Sequence, residues 1–312
     1  MKIQAEKSVF LLPLLIFVGI SCEEKIEKPI PLKEPIPATY NLEFITELDR
    51  EVKESSALSF FNDALWTIND KGNENILYQL DAINGSILKK VRISNAENID
   101  WESMAQSTDH IYIGDFGNND GNRKDLAILK VKKSDLLALE EVIAEKIFFS
   151  YPEQTNFDPP SQNHNFDCEA FFFANNQFHL FTKNWADNQT NYYTVPDIPG
   201  NQTADLKKIF DTSGLITAAD INISNGVIIL LGYTNSGTNS QSFLWLLSDY
   251  PSFNIFSGEK NKIILGNVRE LGQTEGIYFK EDNVGWVTSE EISLGPLRVT
   301  PKLFRFNFKT YF

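Results

Sequence analysis

Cysteine is scarce here, with Cys22 and Cys168 the only two in 312 residues. A disulfide-stapled fold is excluded by that count. Cys168 lies within a hydrophobic run and reads as a small buried core residue. Histidine is also scarce. His110, His164 and His179 share no metal-ligand spacing, so no zinc site is expected. Basic residues are outnumbered, 28 Lys and Arg against 42 Asp and Glu, for a net charge of −14. Such a chain repels phosphate backbones, which excludes nucleic acid as a partner. The surplus serves solubility equally well. There is no GxSxG, no P-loop and no His-based triad. Aromatic residues, by contrast, are plentiful, with 24 Phe, 10 Tyr and 5 Trp. These fit the pleated surface of strands.

The first residues read as an address. Lys2 and Lys7 form a positive start, and Val9 to Ile20 is an apolar run broken by Pro13. That run is too short to span a membrane as a helix and fits the hydrophobic region of a signal peptide. It ends in Gly19-Ile20-Ser21-Cys22, which resembles a bacterial lipobox, with Gly19 standing where Leu is usual. The resemblance implies cleavage after residue 21 and a diacylglycerol, with palmitate-type acyl chains, on Cys22. Glu23 and Glu24 resemble the surface-export signals of Bacteroidota lipoproteins. Pro29, Pro31, Pro35 and Pro37 alternate with Lys and Glu, the composition of a stiff solvated spacer. The expected organisation is a signal peptide over 1–21, a lipidated spacer over 22–38 and a folded domain over 39–312. The expected location is the outer membrane, facing the cell surface.

Short strand-like runs fill the rest, among them Ala64–Ile68, Ile76–Leu80, Ile111–Ile113, Phe178–Phe181, Val227–Leu231 and Lys302–Phe308. Ser134–Lys146 is the one good helix candidate, with Ser134 as its cap. It reads alternatively as a long connection into a strand over Lys146–Ser150. A motif of an acidic residue, a small residue and an apolar strand recurs at Glu54, Glu102, Glu169 and Glu275, with a weaker copy at Thr217-Ala218-Ala219. The copies stand about 50 to 65 residues apart, the period of propeller blades. Five units are expected. The strand Tyr40–Leu48 would then complete the last blade and remove a free sheet edge. The extra length over Tyr151–Phe166 leaves six as the alternative.

In such a topology the starts of the inner strands open on one face. Glu54, Glu102, Glu169 and Glu275 should crowd there as metal ligands, with Lys71, Arg123, Lys183, Asn184 and Glu290 around them as ligand-binding groups. Carboxylates about 6 Å apart repel by about 3 kcal/mol per pair. Protonation, a cation such as Ca²⁺, or hydrogen bonds that staple neighbouring blades would each relieve this. Asp70 and Asp115, in Asn/Gly-rich loops, are the candidate catalytic bases, or plain turn formers.

The segments ESSAL, LWTINDKGN, NIDWESMA, IYIGDFGNN, DCEAFFF, FTKNW and QTEGI are similar to a broad group of secreted bacterial propellers. That resemblance covers most of residues 50 to 290 and implies a fold without an activity. Glu54–Asp70 also resembles the first blade of calcium-activated apyrases. Those five-bladed propellers hold Ca²⁺ on the axis and hydrolyse nucleoside diphosphates. Lys71 stands where they have Arg. The expected function is therefore a monomeric, lipid-anchored envelope module with axial Ca²⁺, taking a small anionic ligand or an envelope protein or glycan. The alternatives are a Ca²⁺-dependent phosphoester or phosphoanhydride hydrolase and a scaffold subunit of an outer-membrane complex.

Overall fold

The computed structural model describes residues 36–294 and 297–312. The expected signal peptide, the lipidation at Cys22 and most of the spacer lie outside them. The described chain is an all-β propeller of five blades.

Blade 1 runs outward through Ser59–Phe61, Ala64–Thr67, Ile76–Leu80 and Ile87–Ile93. Blade 2 follows with Trp101–Gln106, His110–Asp115, Ala127–Lys132 and Glu145–Ser150. Blade 3 is Cys168–Ala174, Gln177–Thr182, Gln189–Pro196 and Asp205–Asp211. Blade 4 is Leu215–Ile221, Ile228–Tyr233, Gln241–Ser248 and Glu259–Asn267. Blade 5 takes Gln273–Phe279, Val284–Glu290 and Lys302–Asn307 from the end of the chain. Its fourth strand is Glu43–Glu47, from the beginning. The ring is closed by this pairing, as expected. The innermost strands neighbour one another in sequence order, and Ser59–Phe61 touches both Trp101–Gln106 and Gln273–Phe279.

Blades pack face to face, so most strands bury both sides. Along Ala64–Thr67, Leu65 enters the cluster shared with blade 5, while Trp66 enters the cluster shared with blade 2. Ile111 and Ile113 face blade 1, and Tyr112 between them faces blade 3. This is period-two alternation with both faces apolar, and it explains the near-continuous hydrophobic runs. Hairpin turns use left-handed Asn and Asp pairs, Asn62-Asp63 and Asn175-Asn176, all with φ between 51° and 58°.

One expectation changes. The helix expected over Ser134–Lys146 is only Lys133–Ala138, without a side-chain cap. The chain then turns extended because Glu141–Val142 pairs in parallel with Arg92 and Ile93 on the outer edge of blade 1, and Glu145–Ser150 completes blade 2. Tertiary pairing overrides helix propensity there. The extra length over 151–166 adds no sixth blade. It forms a loop tied to blade 2, where Gln154 donates to the Gly121 carbonyl at 2.9 Å and His164 bonds the Asn119 carbonyl at 3.0 Å.

Candidate functional site

The site begins with a defect that most of the innermost strands share. Pairing with the second strand slips between Trp101 and Ser103, Cys168 and Ala170, Ile216 and Ala218, and Thr274 and Gly276. Glu102, Glu169, Thr217 and Glu275 are the extra residues, each on a β-bulge. A bulge re-aims its side chain, and three of these four are carboxylates buried at one end of the channel. The small residue after each bulge permits close approach. A Cβ on Gly276 would lie 2.1 Å from Thr288 Oγ1 and 3.0 Å from the Ala57 carbonyl carbon.

Blade 1 departs from the expected equivalence. Ser55 bridges Asn69, while Ser59 faces Trp66. That register places Ser56 at the bulge and Glu54 two residues earlier. Ser56 donates to the Trp101 carbonyl at 3.1 Å, tying blade 1 to blade 2. Glu54 is half-exposed, pairs with Lys53 at 3.2 Å, and accepts from Asn73. In register it matches Asp100 and Asp167.

Asp70, Lys71, Glu102, Glu169, Lys183, Glu275 and Glu290 converge on one cavity of about 200 Å³. Asn119, Gln162, Trp185, Tyr233 and Gln273 complete its wall. Asp115, Arg123 and Asn184 do not line it. Arg123 binds Asp115 at 3.1 Å, Asp125 at 3.1 Å and the Gly117 carbonyl at 3.0 Å, so it fastens a loop. Asn184 is wholly buried and bonds Asn191 and Thr182.

Asp100 is the residue that sequence reasoning missed. Oxygens of Asp70, Asp100 and Glu102 all lie within 4.8 Å of one another. Asp100 is 6% exposed, and its Oδ1 is buried without a hydrogen bond. Its nearest cation is Lys71, 3.7 Å from that oxygen. Gly117 closes in from the side, where a Cβ would meet Glu102 Oε1 at 2.3 Å and Asp100 Cγ at 2.5 Å. The repeated spacing Asp100-x-Glu102 and Asp167-x-Glu169 was the available signal. Asp167 is not a second copy in chemistry. Its oxygens are satisfied by the Asn118 N–H at 2.6 Å and the Trp185 indole at 2.7 Å.

The electrostatics follow from burial. Desolvation, then Asp70 and Glu169, raise the Glu102 carboxyl well above its usual range. Asp100 is raised by burial against the pull of Lys71. Burial lifts Asp70 to about 6 and Glu275 to about 7. Glu290 is pushed well up by burial and by Glu275. Lys183 is the exception. Burial opposes its charge, but Glu169 at 3.0 Å, with Tyr233 and Glu275, holds it protonated. The cavity therefore gathers more carboxyls than its two lysines can balance, and burial favours the protonated form of several of them.

No protein-family model matches the chain, and no curated protein matches it in sequence. Solved structures with a similar course include an α-L-arabinanase of Penicillium chrysogenum complexed with arabinobiose. It is 8% identical, covers 88% of this chain and 99% of that one, and has a TM-score of 0.49. The β-xylosidase RS223 is 11% identical over 68% and 76% of the two chains, with a TM-score of 0.43. Hydrazine synthase of Kuenenia stuttgartiensis is 10% identical with a TM-score of 0.37, and this chain spans 58% of its length. Similarity at this level bears on the fold only; the chemistry of the cavity is this chain's own.

Proposed function

We propose that the protein is a cell-envelope binding module that holds a divalent cation, Ca²⁺ by its donor chemistry, at Asp70, Asp100 and Glu102. The observation that carries this reading is Asp100. A carboxylate oxygen buried without a hydrogen bond beside two other carboxylates, with Lys71 at 3.7 Å as its one ion pair, is costly unless something further neutralises the cluster. Oxygens within 4.8 Å of one another suit one ion, because two ligands at about 2.4 Å from it are at most about 4.8 Å apart. All-oxygen donors without Cys or His select a hard ion. Mg²⁺ needs shorter bonds and near-ideal octahedral order, a stricter demand than Ca²⁺ makes. The envelope location is supported by residues 1–22 and the lipobox resemblance.

Thermal unfolding of the purified chain with Ca²⁺ against chelator tests the reading. A site saturated 100-fold adds about 2.7 kcal/mol of stability, a plainly visible shift. The shift should vanish in Asp100→Asn. Equal melting with and without chelator would remove the metal and leave the carboxylates as a protonated cluster. Chelator-sensitive hydrolysis of nucleotides or inositol phosphates would make the module an enzyme. Asp70, on the cavity wall, would be the base, because Asp115 is turned to Arg123 and the Asp100 N–H.

A further inference from the structure

The cavity that holds Asp70 and Glu102 contains a second charge imbalance, and it opens onto apolar surface. Glu169, Glu275 and Glu290 share one ammonium, Lys183, which is engaged at 3.0 Å by Glu169. Glu275 is 4% exposed. Its Oε1 accepts from Gln273, a neutral partner, and among the described residues its Oε2 accepts no hydrogen bond. No described Lys or Arg forms an ion pair with Glu275 or Glu290. Both carboxyls are raised, Glu290 partly by Glu275 itself.

A second cavity of about 350 Å³ adjoins the first and shares Trp185, Tyr233 and Gln273 with it. Val268, Ile292 and Leu297 make its floor apolar. The two shared aromatic rings already bear a cation, with Lys183 Nζ 4.8 Å from the Trp185 ring and 5.5 Å from the Tyr233 ring. Aromatic faces attract cations through their quadrupole, more strongly away from water.

We propose that these joined cavities bind an organic cation with an apolar body. The ammonium sits by Glu275 and Glu290 against Trp185 and Tyr233, and the body fills the apolar annex. An anionic head would meet the two carboxylates, and a neutral one would leave them uncompensated. A bare inorganic ion would leave the annex unfilled. This site shares its cavity with Asp70 and Glu102 but uses none of the proposed metal ligands.

The test is calorimetric titration of the purified chain with three probes at pH 8, above the value of about 7 to which burial lifts Glu275. Benzyltrimethylammonium carries head and body, tetramethylammonium the head alone, and benzyl alcohol the body alone. The first should bind at least about tenfold more tightly than either of the others. Glu275→Gln with Glu290→Gln should abolish its advantage over benzyl alcohol. Ile292→Ser should abolish its advantage over tetramethylammonium. Equal binding of benzyl alcohol, or full affinity in the double variant, would overturn the proposal, as would no binding at all. The Ca²⁺ melting shift, measured on the same samples, separates the two readings. A retained shift with failed cation binding sinks this inference alone. A lost shift with intact cation binding sinks the metal alone.

Discussion

Lys183 Nζ lies 3.0 Å from Glu169 Oε2, and both side chains are at most 5% exposed. Glu169 comes from the bulge of the innermost strand of blade 3, and Lys183 from just after the second strand. The pair therefore joins the two strands at the mouth of the cavity. Buried pairs gain little over apolar replacements, but a broken pair leaves a stranded charge. Lys183→Met should lower the unfolding free energy by about 3–5 kcal/mol in urea titrations. Adding Glu169→Gln should restore most of that. A single variant as stable as the parent would mean that Glu169 is neutral in the folded chain.

Asp100→Asn separates stability from metal binding. Without Ca²⁺ it removes a buried negative charge from a repelling cluster, so melting in chelator should hold or rise. With Ca²⁺ the gain of the parent protein should be lost. Gly117→Ala should also lose the gain, because the added Cβ falls on Glu102 Oε1 and Asp100 Cγ. Scanning calorimetry of both variants, with and without the ion, checks this. A full Ca²⁺ shift in either variant would place the ion elsewhere.

The repeat made the five blades legible, because an acidic residue, a small residue and an apolar run recur in four units, and Thr217 heads a weaker copy in the remaining one. The closing strand was legible too, as an unpaired run before the first unit. Residue type misled at blade 1. Glu54 looked like Glu102, but the bulge that decides equivalence is a property of two paired strands, and Ser56 holds that place. Asp100 was hidden for a related reason. It precedes the strand, and only the fold brings Asp70 and Glu102 to it. The basic rim was half legible. Lys183 lines the cavity and Arg123 does not, and their charge is spent on Glu169 and Asp115. Trp185 and Tyr233 belong to blades 3 and 4, and the packing of those neighbouring blades brings them to one wall.

Closure by the first strand should dominate folding. Glu43–Glu47 pairs with Lys302–Asn307, and Leu48 is buried among Leu65, Leu80 and Leu303. Burying one such leucine contributes about 2 kcal/mol before any backbone pairing is counted. A chain beginning at residue 36 should melt as the full one does. A chain beginning at residue 49 should melt at least about 5 °C lower, or aggregate through its exposed edge. Equal melting of the two chains would show that the ring closes without its first strand.

At the far end of the blade 4 inner strand, Asp220 supplies the clearest pH dependence. Its Oδ2 accepts the Phe279 N–H at 2.7 Å and its Oδ1 the Ile221 N–H at 2.8 Å. Burial outweighs these bonds and raises its carboxyl to about 7. The unfolded carboxyl titrates near 3.8. Between those values the folded chain holds a proton that the unfolded chain lacks, so stability must fall as pH rises. The stabilisation is complete below pH 4 and gone above pH 7, and is worth about 4 kcal/mol at most. The raised carboxyls of the cavity add to the same slope in the parent protein. Asp220→Asn isolates this residue, because Asn keeps one acceptor and has no charge to titrate. Urea unfolding of the two chains from pH 4 to 8 should show a shallower decline for the variant. Their relative stability should move in the variant's favour as pH rises. Parallel curves would mean that Asp220 ionises in the folded chain as it does in water.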